Sequence, residues 1–139
     1  MSWLLDVNLI LASRWTTHSK HRAAKLWVDS VNEFHTCAIT ELEFVRISLS
    51  AYQATWDEVQ ESLEKLHARP GHQCLADDVD GNASPETNSN DTTDAHLVTL
   101  AKRHGLKLAT LDQSLLAKPW AAGIAENPLA PPQMSATTS

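Results

Sequence analysis

The stretch from Trp3 to Ala12 constrains the fold most, because a short apolar run meets a carboxylate and an apolar, helix-compatible run begins directly after it. A buried parallel strand that leads into a helix at the carboxyl edge of a sheet has this pattern. Open α/β sheets bind their ligands at that edge. The carboxylate, Asp6, is therefore either a ligand-binding residue or only the N-cap of the following helix. The choice depends on whether other acids reach the same edge.

Length and apolar content fit one domain in the cytoplasm. The 139 residues allow a substantial core, and no apolar run is long enough to cross a bilayer. Asp6 also interrupts the N-terminal apolar stretch that a signal peptide would need. Cys37 and Cys74 lie in apolar, strand-like segments without the Cys or His spacing of a zinc site, so we expect two buried free thiols.

The charge of the chain limits how it can bind nucleic acid. The formal net charge is −6, from 17 acidic and 11 basic residues. Binding to nucleic acid through bulk positive charge is excluded by this balance. A nucleic-acid substrate is compatible with it only if positive charge is local, or if a bound metal ion offsets a cluster of acids.

Strand-like and helix-like segments alternate along the chain. We predict a strand from Phe34 to Ile39 that ends at Thr40, and a helix that Thr40 caps, with Glu43 completing a capping box. Further elements are a helix over residues 55–67, a short strand over 72–76, a helix from Asp91 to His104, a strand over 106–112 and a weak strand around Ile124. The alternation predicts a three-layer α/β/α sandwich with a central, mostly parallel sheet. We expect one domain over residues 1–126 and a disordered tail over 127–139.

Four acids are predicted to meet at one end of this sheet. Asp6 and Asp112 end strands, whereas Glu43 and Asp94 lie in the first turns of helices at the same edge. Each has an alternative role in capping a helix. Together, however, they would repel one another unless a divalent cation binds, and carboxylate oxygens select Mg²⁺ or Mn²⁺. An acid-only site without a Cys, Ser or Lys nucleophile suits attack on a phosphate by metal-activated water.

These segments resemble PIN-domain proteins, and within them the VapC toxins of toxin–antitoxin pairs. The resemblance is carried by four stretches in the order of the family: Leu4-Leu5-Asp6-Val7-Asn8, Thr40-Glu41-Leu42-Glu43-Phe44-Val45-Arg46, Thr93-Asp94-Ala95-His96-Leu97 with Ala101-Lys102-Arg103-His104-Gly105, and Leu108-Ala109-Thr110-Leu111-Asp112. Each stretch is a weak signal alone, whereas four in register are a strong one.

The resemblance implies an Mg²⁺- or Mn²⁺-dependent endoribonuclease that forms a homodimer and is inhibited by a cognate antitoxin in its active-site groove. By motif match, the catalytic and metal-binding acids are Asp6, Glu43, Asp94 and Asp112. Asn8 and Thr110 would orient a carboxylate or water, and Arg46 would contact RNA or the inhibitor. Glu41 and Asp91 depart from a simple match, since each is a competing carboxylate beside a predicted ligand.

Two other functions stay open at this point. One is a PIN-like binding module without catalytic activity. The other is an Mg²⁺-dependent phosphoacceptor signalling domain, which would need an acid pair near the first strand and a Lys closing the site. The first strand supplies one acid, and Lys107 starts its strand rather than ending it. A haloacid-type phosphatase would need a second Asp where Asn8 stands.

Overall fold

The chain forms one parallel five-stranded sheet in a computed structural model that describes residues 2–84 and 86–130. The strands are β1 (Trp3–Leu5), β2 (Phe34–Cys37), β3 (His72–Leu75), β4 (Lys107–Ala109) and β5 (Ala125–Glu126). Their order across the sheet is β3-β2-β1-β4-β5, and all four neighbouring pairs run parallel. The first strand is thus central, with its carboxyl end between those of β2 and β4.

Helices cover both faces of the sheet. They are α1 (Val7–Arg14), α2 (His21–Ser30), α3 (Ala38–Ser50), α4 (Trp56–His67), α5 (Thr92–Arg103) and α6 (Gln113–Leu116), with short 3₁₀ turns at Ser89–Asp91 and Pro119–Ala121. Alternate residues of β1 point into two separate cores: Trp3 and Leu5 pack with α1 to α4, and Leu4 packs with α5. This arrangement confirms the predicted three-layer α/β/α sandwich.

The predicted start of α3 is wrong by three residues. Strand β2 ends at Cys37, which is the N-cap, and Thr40 is the third helical residue. The reason is local: the hydroxyl of Thr40 reaches back and accepts the backbone N–H of Cys37 at 3.2 Å. Glu43 is therefore not the acid of a capping box, and its carboxylate is available for other contacts.

The predicted end of β4 is also wrong. The strand stops at Ala109, and Asp112 lies three residues further on as the N-cap of α6. Its Oδ1 accepts the backbone N–H groups of Ser114 at 2.9 Å and Leu115 at 3.2 Å. An acid predicted to end a strand instead begins a helix, although it stays at the same edge of the sheet.

The shorter strands, one helix cap and the two cysteines agree in part with the sequence predictions. The strands at residues 72–75 and 125–126 and the capping box of Thr55 and Glu58 are confirmed. Cys37 is buried as expected, but Cys74 is exposed, because β3 is an edge strand. The predicted tail falls mostly on residues 131–139, which lie outside the described residues; before them, Leu129 packs against the core. Among the helices described, none has the length and apolar character to span a membrane.

Gly71 provides a test of the packing between β2 and the turn before β3. Its φ is +88°, and a Cβ atom there would collide with the backbone carbonyl of Asn32. We expect Gly71→Ala to lower the free energy of unfolding by about 1–3 kcal/mol or more, measured by urea denaturation. Gly81→Ala is the control, because a Cβ at Gly81 meets nothing within 4 Å. Equal stability of the two variants would contradict this account.

Candidate active site

The hydroxyl of Thr110 joins the ends of β1 and β4. It is fully buried and donates a hydrogen bond to Oδ2 of Asp6 at 2.7 Å. Its oxygen accepts from the side-chain amide of Asn8 at 3.3 Å and from the backbone N–H of Asp112 at 3.1 Å. One donated and two accepted hydrogen bonds use the full capacity of a hydroxyl group. Thr110 therefore fixes the relative positions of two of the predicted acids.

Asn8 acts as a second connection between these two strand ends. While its amide nitrogen donates to Thr110, its Oδ1 accepts the backbone N–H of Leu111 at 3.1 Å. Both ends of the amide are thus occupied by contacts within the protein. Asn8 therefore holds the segment after β4 against the start of α1.

Asp6 is the most deeply buried of the four predicted acids, with 3% of its surface exposed. Burial raises the pKa of its carboxyl group, and hydrogen bonds from Thr110 and the backbone of Val7 act in the opposite direction. The charges of Glu43 and Asp112 raise this pKa further. Asp6 does cap α1, since its Oδ1 accepts from Val7 at 2.8 Å, so the two interpretations of this residue are compatible.

Asp94 has a strongly raised pKa at this end of the sheet. Its pKa is raised from 3.8 to about 7, first by burial and then by the charges of four neighbouring acids: Asp6, Asp112, Asp91 and Glu43. Neighbouring negative charges raise the pKa of a carboxylate when they lie nearby. The charges of Asp6, Glu43 and Asp112 all act on Asp94, so the four predicted acids lie at the same end of the sheet.

The two competing carboxylates have other partners. Glu41 Oε2 lies 2.9 Å from Nε2 of His67, and Asp91 Oδ2 lies 2.7 Å from Nζ of Lys118. Glu43, by contrast, has a longer contact with Arg46, with 3.7 Å between Oε2 and Nη2. The ambiguity that the sequence left at both positions is thereby reduced, since each competitor is engaged with a basic side chain.

Three acids of the cluster formed by Asp6, Glu43, Asp94 and Asp112 have no basic side chain in direct contact among the described residues. Within residues 2–84 and 86–130, no Lys, Arg or His nitrogen lies within 4.0 Å of the carboxylates of Asp6, Asp94 or Asp112. Buried carboxylates without a basic partner are costly unless they are protonated or bind a cation. An all-oxygen donor set of this kind fits a hard divalent ion.

The sequence matches the PIN domain family over residues 3–120. The chain belongs to the PIN-domain family. It is 37% identical over 120 residues to Ribonuclease VapC38 of Mycobacterium tuberculosis, which covers 78% of this chain and 84% of that protein. It is 35% identical over 138 residues to Ribonuclease VapC39 of the same species. This match covers 91% of this chain and 99% of that protein. These relatives make the chain a VapC-like PIN domain.

The fold of this PIN domain is also found in a solved complex. A chain in the crystal structure of VapBC2 from Rickettsia felis, bound to a DNA fragment from their promoter, superposes with a TM-score of 0.61 at 12% identity. The match covers 91% of this chain and 98% of that chain. At this level of identity the likeness extends to the fold alone.

Sequence reasoning did not identify Ser114 as part of the site. Its hydroxyl donates to Oδ1 of Asp112 at 2.8 Å, beside the two backbone N–H groups that bind the same oxygen. Three hydrogen bonds on Oδ1 fix the orientation of the carboxylate. An Asp followed two residues later by Ser at a helix start was the available signal.

The raised pKa of Asp94 predicts how stability depends on pH in the absence of metal. Because the folded state holds this proton more tightly than the unfolded state, the associated stability is present below pH 3.8 and is lost as the pH rises to about 7. The amide side chain of the Asp94→Asn variant cannot ionise. We therefore expect the melting temperature of this variant, relative to wild type in a chelator, to be higher at pH 8 than at pH 4.5.

The control for this measurement is Asp57→Asn, since Asp57 is exposed in the first turn of α4. The raised pKa would be contradicted if the difference in melting temperature between Asp94→Asn and wild type stayed constant from pH 4.5 to pH 8.

Proposed function

We propose that this PIN domain is a metal-dependent endoribonuclease and the toxin of a toxin–antitoxin pair. The proposal rests on four acids at one end of the sheet, three of which have no basic nitrogen within 4.0 Å among residues 2–84 and 86–130. The names of its relatives, Ribonuclease VapC38 and VapC39, support RNA as the substrate. Perturbed carboxyl groups of this kind are common at catalytic sites, which favours an enzyme over a binding module.

Asp6, Glu43, Asp94 and Asp112 are proposed to hold Mg²⁺ or Mn²⁺. When bound, such an ion supplies activation of water and neutralises charge on the phosphodiester. Its positive charge would also offset part of the repulsion between RNA and a chain with a net charge of −6.

The protein's own contribution is to hold the carboxylates in fixed orientations. Hydrogen bonds to Oδ1 of Asp112 from Ser114 and the start of α6 leave Oδ2 for the ion. Thr110 and the N–H of Val7 hold the carboxylate of Asp6, and each of its oxygens keeps a further lone pair. Supports of this kind orient metal ligands and commonly change metal affinity or activity by about 10–100-fold.

Arg46 is proposed to contact the RNA backbone. Its side chain is 68% exposed and lies one turn after Glu43, so it extends from the acid cluster into solvent. A guanidinium group pairs well with a phosphate through two parallel hydrogen bonds. Its weak contact with Glu43 would be replaced readily by such a phosphate.

We further propose that the protein acts in the cytoplasm, forms a homodimer and is inhibited by a cognate antitoxin. Leu42 and Leu49 are 70% and 41% exposed on α3, the helix that carries Glu43. They are seven residues apart and so lie on the same side of that helix. A protein partner that covers Leu42 would also lie beside Glu43, the next residue of α3.

The first test is induced expression in a bacterium, with sequencing of the RNA 5′ ends. We expect wild type to arrest growth and to create discrete new ends, and Asp6→Asn to do neither. Asp57→Asn, an exposed acid away from the cluster, should behave as wild type. Absence of new ends with soluble wild-type protein would favour the non-catalytic binding module.

Cleavage of an RNA identified in this way can then be measured with purified protein. We expect a chelator to abolish the reaction, and Mg²⁺ or Mn²⁺ to restore it. Glu43→Gln should reduce the rate by at least about 100-fold, because loss of a direct ligand should exceed the 10–100-fold typical of residues that support one. Glu61→Gln on α4 is the matched control. Cleavage that persists in the chelator would contradict a metal-dependent reaction.

A further inference from the structure

A second group of metal-ligating side chains lies at the β3 edge of the sheet. It consists of Glu41 in α3, His67 at the end of α4, and His72 and Cys74 in β3. Each offers one ligand atom, and these four atoms all lie within 4.8 Å of one another. None of these side chains belongs to the acid cluster described above.

The fold explains why these four residues meet. His72 and Cys74 are two residues apart on a strand, so their side chains point to the same face of the sheet. Strand β3 pairs in parallel with β2, where Phe34 is opposite His72 and Thr36 is opposite Cys74. Phe34 belongs to the core beneath α1 to α4, so this is the face on which α3 and α4 pack.

Contacts within the group already order three of the four side chains. Nε2 of His67 lies 2.9 Å from Oε2 of Glu41, and the rings of His67 and His72 stack with 5.0 Å between centroids. Thr36, which is fully buried, donates to Oε2 of Glu41 at 2.5 Å, and its oxygen lies 2.7 Å from Nε2 of His72. Thr36 thus acts as a positioning residue for Glu41 and His72.

We propose that Glu41, His67, His72 and Cys74 bind one Zn²⁺ ion. Two imidazoles, one thiolate and one carboxylate form a donor set typical of zinc, and a thiolate ligand disfavours Mg²⁺ and Ca²⁺. In a tetrahedral zinc site the ligand atoms are about 3.3–3.6 Å apart, given metal–ligand bonds of about 2.0–2.3 Å. His67 and Cys74 are exposed, so rotation of their side chains can bring the present group to that spacing.

The role of this ion would be structural. Four protein ligands close a tetrahedral zinc site and leave no position for substrate. The site would join the edge strand β3 to the start of α3 and the end of α4. It would also fix α3 close to Glu43, two residues after Glu41, without taking part in chemistry at the acid cluster. The proposal does not depend on the ribonuclease function.

Cobalt provides a direct test, because a thiolate bound to Co²⁺ gives a charge-transfer absorption in the near ultraviolet that carboxylate ligands do not give. Full-length protein without an affinity tag is titrated with Co²⁺ in the presence of Mg²⁺ and a non-thiol reductant. We expect the thiolate absorption to saturate at one equivalent of Co²⁺ and to disappear when Zn²⁺ displaces the cobalt. Zn²⁺ should also raise the melting temperature of wild type.

The variants assign the ligands. Cys74→Ser should abolish the thiolate absorption, and His72→Gln should weaken Co²⁺ binding by more than 10-fold, since a direct ligand is lost. Cys37→Ser is the matched control, because Cys37 is a free thiol buried in the opposite core. Circular dichroism establishes that each variant is folded. Zn²⁺ should leave the melting temperature of folded Cys74→Ser unchanged.

Thr36 can be tested as a positioning residue with a pair of substitutions. Thr36→Val removes the hydroxyl and should lower Co²⁺ affinity by about 10–100-fold, whereas Thr36→Ser keeps the hydroxyl and should retain the affinity. If wild type gives no thiolate absorption at saturating Co²⁺, or if Cys74→Ser keeps it, the zinc site is excluded. The four residues then form only a hydrogen-bonded group.

Discussion

The buried hydrogen bond between Thr110 and Asp6 is the contact on which the arrangement of the acid cluster depends. It joins the end of the central strand to the segment after β4, and the same hydroxyl oxygen accepts from Asn8 and from the backbone of Asp112. A buried carboxylate needs such partners because water is excluded from it. The same contacts bring the backbone of Asp112 toward Asp6, so one hydroxyl group supports both the fold and the geometry of the proposed site.

Repulsion among the carboxylates at this end of the sheet destabilises the folded protein when no cation is bound. The pKa of Asp94 is raised to about 7 by its burial and by the surrounding acids. Helix N-termini offset part of this repulsion, by about 0.3–1 kcal/mol each at exposed positions, and both Asp6 and Asp112 cap helices. A bound divalent cation would remove much more of it. Strongly perturbed pKa values of this kind are typical of functional sites.

The two errors in helix and strand boundaries have different causes. Thr40 was predicted as the N-cap from its residue type, but its hydroxyl accepts from Cys37 three residues earlier. Asp112 was predicted to end a strand, but β4 has a partner for only three residues along β1. The first boundary depends on a local contact at the start of α3, and the second depends on how far β4 pairs with β1. The acids still reached the expected edge, because a shift of a few residues at a strand end leaves the topology unchanged.

The alternation of strands and helices and the layered fold follow from the sequence, because apolar periodicity specifies them locally. The order of short motifs also predicts four acids at one edge of the sheet. The tertiary structure determines how the neighbouring carboxylates are paired: it places Glu41 beside His67 and Asp91 beside Lys118. It also brought Glu41, His67, His72 and Cys74 together from three elements. Their spacing in the chain carries no metal-binding pattern, since packing of α3 and α4 on an edge strand creates the proximity.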